Sequence, residues 1–188
     1  MKTGFTPWEL ACCGVMGAAG LLLPVIFHIV HLGHVFMPMY LPLVTCAFFT
    51  RPLPAMLTAI VVPILSGALT GMPPFYPPVA IFMSIELCVM AMVISVISRR
   101  WQSMNEWLLL FAVLMFGRIL YVGLVYLFSL TIGLPADFMA GVSILKGWPG
   151  IVMMMVVVPP LVRAGKKTFL KNMDFVKEVK ERETNEGR

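Results

Sequence analysis

Charge is what this chain has least of. Of its 188 residues, 12% are Asp, Glu, Lys or Arg and 60% are hydrophobic, and the mean hydropathy is +0.92. A soluble domain is about 25% charged and roughly 45–50% apolar. A soluble enzyme is therefore excluded, because half the usual charge cannot cover a globular surface of this size. Disorder is excluded as well, since apolar residues dominate nearly every stretch before the C-terminal end. The composition predicts an all-α, polytopic integral membrane protein. Six helices of about 20 residues need roughly 120 residues plus short connections, so six spans fit and ten do not.

Several chemical signatures are missing too. There is no G-x-x-x-x-G-K-[ST] phosphate loop, no nucleophile elbow and no H-E-x-x-H pair. No covalent chemistry is expected of this chain, no cofactor is implied, and ATP-driven transport would need its ATPase on another subunit. The two similar halves of many secondary transporters are also lacking. The four cysteines (Cys12, Cys13, Cys46, Cys88) show no C-x-x-C spacing and sit among apolar residues, which reads as small packing side chains. The apolar run behind Lys2 is longer than a signal-peptide core, so the first helix is expected to be retained.

The charge that is present is unevenly placed. Eight basic and five acidic residues follow Val162, so the net charge of +5 belongs largely to a tail, residues 163–188, lying beside an anionic membrane surface. It is no nucleic-acid signature. Residues 1–162 read as the membrane domain. The candidate spans are Trp8–Val30, a short one within Gly33–Thr50, Leu53–Thr70, one ending at Ser98, Trp107–Leu130 and one ending at Val162. Between the third and fourth, the run Gly71–Pro78 cannot be regular helix, since its four prolines fix φ and remove donors. Lysine and arginine fall in alternate connections: Lys2, then Arg51, then Arg99 with Arg100, then the tail. The positive-inside rule then predicts both termini in the cytoplasm and a multi-pass chain in the cell membrane. The outer connections are His31–Met39, Gly71–Pro78 and Thr131–Lys146.

Two charges lie where lipid would be. Glu86 sits a third of the way into the fourth span and Arg118 near the middle of the fifth. Each costs roughly 2.5–3.5 kcal/mol at such depth, so both should face the interior, and their matched depths on antiparallel neighbours predict that they meet. Such a pair either locks two helices together or holds a polar ligand. Tyr121, three residues on from Arg118, shares its face. His28, His31 and His34 would fan out on a helix, although a loop could converge them on a transition metal. Tyr76 and Trp148 suit either an interfacial aromatic belt or stacking on a flat ligand. On the first helix, Gly14, Gly17 and Ala18 form a small-residue stripe that lets another helix approach closely.

In order along the chain, several short motifs resemble the substrate-binding S components of energy-coupling factor (ECF) transporters. They are Phe27-His28, Phe36-Met37-Pro38-Met39-Tyr40-Leu41-Pro42, Gly71-Met72-Pro73-Pro74, Ile85-Glu86-Leu87, Gly117-Arg118, Gly147-Trp148-Pro149-Gly150 and Val158-Pro159-Pro160. The resemblance covers about Leu21 to Val162. The family pattern Pro-Met-His-Ile-Pro reads Pro38-Met39-Tyr40-Leu41-Pro42 here, which moves attention to Tyr40. The resemblance implies six helices that bind a vitamin-like small organic nutrient near the outer face, with the Pro-rich loop as a lid. It implies as partners a membrane coupling protein, docked on the small-residue stripe, and two cytoplasmic ATPases. The expected ligand residues are His28, Tyr40, Glu86, Arg118, Tyr121, Tyr76 and Trp148. Two alternatives stay open: a nickel or cobalt importer subunit using the histidines, and a ligand-free structural subunit.

Overall fold

Helix α1 (Pro7–Ile29) begins at a reciprocal cap. The Glu9 amide donates to Thr6 Oγ1 at 3.2 Å, and the Thr6 amide donates to Glu9 Oε2 at 3.1 Å. Pro7 fits the first turn, where its missing N–H has no partner to lose. Glu9 then does a second job. Arg51 donates to it through Nε and Nη2, each at 2.7 Å, and through its own backbone amide at 3.1 Å. The start of α1 is thereby tied to a junction more than 40 residues on in the chain. This buried carboxylate carries a role that the sequence reading passed over.

The computed structural model describes residues 4–29, 36–75, 78–101, 104–132 and 148–168. Among them every regular element is a helix: α1, then α2 (Tyr40–Phe49), α3 (Pro52–Thr70), α4 (Val79–Arg100), α5 (Glu106–Ile132) and α6 (Trp148–Thr168). Five of the six are long and apolar enough to cross a membrane, which marks the chain as a multi-pass membrane protein. The exception is α2. Its 10 residues rise roughly 15 Å, half of a hydrocarbon core of about 30 Å. Eight of them are buried, because the helix lies inside the bundle with apolar side chains all round. Its last carbonyls are met from α4: Ser95 Oγ donates to the Thr50 carbonyl at 2.6 Å and Arg99 Nε reaches it at 3.4 Å.

Around α2 the core is built at helical spacing. Met154, Val158 and Val162 of α6, four residues apart, are fully buried beside Leu87, Met90 and Ile94 of α4. Helix α4 packs against α2, α3 and α5, whereas α1 touches α2 and α3 from the edge. Only Glu9, Gly17 and Gly20 of α1 are buried, and the last two let Val62 of α3 approach closely. The remainder of α1 presents Leu10, Val15, Leu22 and Ile26 outward, as a lipid-facing helix would.

One end of the bundle gathers the basic residues. Arg51 and Arg99 are held there as described, and Glu106 at the start of α5 accepts from Arg163 Nε at 3.1 Å and Lys166 Nζ at 2.7 Å. Helix α6 continues past Val162 to Thr168, and Lys166 near its end is bonded to the start of α5. Residues 169–188 of the expected tail lie outside the described residues.

Candidate functional site

Helix α3 ends on Gly71, whose φ of 73° is the left-handed turn that stops a helix and whose amide caps the Gly67 carbonyl at 3.0 Å. The chain then turns back over the bundle. Ser66 Oγ donates to the Met72 carbonyl at 2.7 Å, which pins the loop down. Beneath it lies a cavity of about 310 Å³, at the end away from the basic residues. Met72, Pro73 and Pro74 form one wall, and Pro24 with His28 of α1 forms another. The turn into α2 contributes Met37 through Tyr40, α4 contributes Val79 and Met83, and α5 contributes Arg118 and Tyr121. The volume falls at the small end of the roughly 300–1,000 Å³ range of ligand pockets.

Tyr40 organises the polar side of this cavity. It is 2% exposed, and its hydroxyl donates to Glu86 Oε2. Its ring face lies under the Arg118 guanidinium, with the guanidinium carbon 5.6 Å from the ring centroid. The other Glu86 oxygen, Oε1, is buried without a hydrogen-bond partner among the described residues. It faces Gly117, where an added Cβ would come within 3.1 Å of it. Arg118 in turn donates to Met37 Sδ. Met37 holds this position in the left-handed region (φ 46°), a conformation that costs energy for a side chain of its size and gathers at functional sites.

The expected meeting of Glu86 and Arg118 is therefore corrected. Among the described residues the ion pairs are those of Glu9 and Glu106, and Glu86 and Arg118 form none. The phenol of Tyr40 serves both, donating its hydroxyl to one Glu86 oxygen and offering its ring face to the guanidinium. Antiparallel depth matching brought both charges to one level, but it cannot see a side chain entering from a third helix.

Of the other expected ligand residues, His28, Tyr40, Arg118 and Tyr121 line the cavity, with Tyr121 9% exposed. Glu86 stands one hydrogen bond behind the wall. Trp148 opens α6 at 63% exposure and is not among the residues lining the cavity, which suits an interfacial anchor. Tyr76, His31 and His34 lie outside the described residues. No group of three metal-ligating side chains stands together among the described residues. Pro24, Met37 and Met83 are wall residues that the sequence does not single out. Prolines and methionines carry no polar signal that would mark a ligand wall in the sequence.

The small-residue stripe divides. Gly17 is buried against Thr58 and Val62, so part of the stripe serves internal packing. Gly14 and Ala18 remain exposed beside an open groove between α1 and α3 that also includes Cys13, Pro54 and Leu57.

Comparison with known proteins returns no match: no family model, no curated protein and no solved structure is similar to the chain.

Proposed function

We propose that the chain is the substrate-capture subunit, or S component, of an ECF-type importer, and that it binds a vitamin-like small organic nutrient without chemical change. The observation that carries this reading is the cavity itself. Its mostly apolar walls converge a guanidinium, two phenols and an imidazole on one space at the end opposite the basic residues. On the positive-inside rule the basic end is cytoplasmic, which puts the cavity at the outer face and both termini inside, in a plasma membrane. The Pro-rich loop over the cavity fits the role of a lid. The exposed Gly14 and Ala18 offer a face for a membrane coupling protein, itself driven by two cytoplasmic ATPases.

Native mass spectrometry of the protein purified in mild detergent tests the reading. A small organic molecule should co-purify with the wild type and be lost from an Arg118→Gln variant that folds normally. A wild-type protein that is always ligand-free, and stable only with a partner chain, would mark a structural subunit instead.

A further inference from the structure

Arg118 is the one charged side chain on the cavity wall among the described residues, and its partners there are unusual. A guanidinium has five N–H donors in a fixed fork. Here one points at the Met37 thioether, a weak acceptor, and the group otherwise rests on the Tyr40 ring. No described residue offers it an oxygen. Glu86, the nearby carboxylate, has one oxygen taken by Tyr40 and the other turned to Gly117. The cavity thus presents positive charge and unused donors. Two features reinforce this. Tyr40's hydroxyl donates to a carboxylate, which enriches the ring beneath the guanidinium and holds it in place. The N-terminus of α2, which has no side-chain cap, also ends at the cavity wall, adding the positive end of a helix dipole.

Resting on the capture reading above, we infer that the ligand is an organic monoanion: a carboxylate held by the fork of Arg118, with an apolar body lying among the prolines and methionines. One guanidinium, with no lysine beside it among the described residues, matches a single carboxylate better than a phosphate dianion, which calls for more donors. Met72, Pro73, Pro74 and Met83 line the same cavity and offer no side-chain hydrogen-bond donor, so the body is apolar where it touches them. Tyr121 and His28 complete the polar part of the lining. Such an acid reaches the site either from water, as a compact molecule, or from the bilayer, as a fatty acid.

The test is thermal unfolding of the detergent-purified full chain against matched probes at millimolar concentration. The pairs are benzoate with benzamide, nicotinate with nicotinamide, and indole-3-acetate with indole-3-acetamide; oleate with oleamide forms the lipid arm. At least one acid should raise Tm while its amide does not, and the arm that responds names the source. In Arg118→Gln the affinity for that acid should fall roughly 30-fold or more, the scale for truncating one member of a hydrogen-bonded charge pair. Arg118→Lys keeps a point charge but loses the fork, so it should still prefer acid to amide with weaker binding, and it serves as the readout if the glutamine variant fails to fold. Amides that match their acids, or an Arg118→Lys protein without preference, would overturn the inference. If amides do act, and filling the cavity with Met83→Trp abolishes their effect, the anion assignment falls while the capture reading stands. If no probe of either series acts, the anion assignment falls, and the co-purification experiment decides the capture reading separately.

Discussion

Tyr40 serves two charged side chains at once, donating its hydroxyl to Glu86 and offering its ring face to Arg118. Glu86 is almost wholly buried, and its only hydrogen bond among the described residues comes from the Tyr40 hydroxyl. Removing one partner of a buried polar pair leaves the other unsatisfied, at about 1–3 kcal/mol or more for a charged group, whereas replacing both by apolar groups of similar shape is nearly neutral. Tyr40→Phe should therefore lower thermal stability by about that amount. The double variant Tyr40→Phe/Glu86→Met should regain most of it, measured by unfolding in detergent. A double variant less stable than Tyr40→Phe alone would show that Glu86 has a stabilising role independent of the phenol. Sequence reasoning reached Tyr40 only through a motif position. The residue looks ordinary in an apolar stretch until the fold sets it between two charges.

At the scale of elements, the half-length α2 makes the site. A full span would carry its first turn to the membrane surface, whereas a 10-residue helix starts inside the bundle and leaves room above its N-terminus. The cavity occupies that room, roofed by the loop that follows α3. The roof depends on close contact: a Cβ at Gly67 would stand 2.7 Å from the Pro73 carbonyl oxygen and 3.0 Å from the Phe75 ring. Backbone on one side leaves no room to yield. Gly67→Ala should cost about 1–3 kcal/mol by overpacking, despite the better helix propensity of alanine, and should weaken ligand retention more than it disturbs the basic end. Hydrogen exchange that rises across residues 71–75 while residues near Glu9 and Arg51 stay protected would fit this. Uniform exchange changes would contradict it. The prolines made an irregular segment legible from sequence, but its fold back over α2 depends on the glycine facing it.

At the scale of the whole molecule, two faces remain to be assigned. Alternating Lys and Arg positions converge at one end, where Glu9 and Glu106 fix three of them. If that end is cytoplasmic, a C-terminal alkaline phosphatase fusion should be inactive and a fluorescent-protein fusion bright, and the reverse pattern would invert the proposed orientation. The second face is the outer side of α1. A Cβ at Gly14 would meet nothing within 4 Å, so Gly14→Leu should leave unfolding unchanged. If a coupling protein packs there, the same variant should lose ATP-dependent uptake and co-purification of the ATPases. Full uptake by Gly14→Leu would remove this face from the proposed interface.

Composition and charge placement by themselves determined a membrane bundle, the number of helices and the end at which the basic residues gather. The reason is that lipid penalises charge and unpaired backbone so steeply that few arrangements survive. They also singled out Arg118, because a guanidinium at that depth needs a reason. What only the tertiary structure decided is how the polar residues divide their partners. Glu86 and Arg118 share Tyr40 yet form no ion pair, Trp148 is not among the cavity's lining residues, and Met37 with Pro24 lies on its wall. Those outcomes turn on which side chain of a third helix enters between two others. That is set by packing across distant parts of the chain, which periodicity along one helix does not encode.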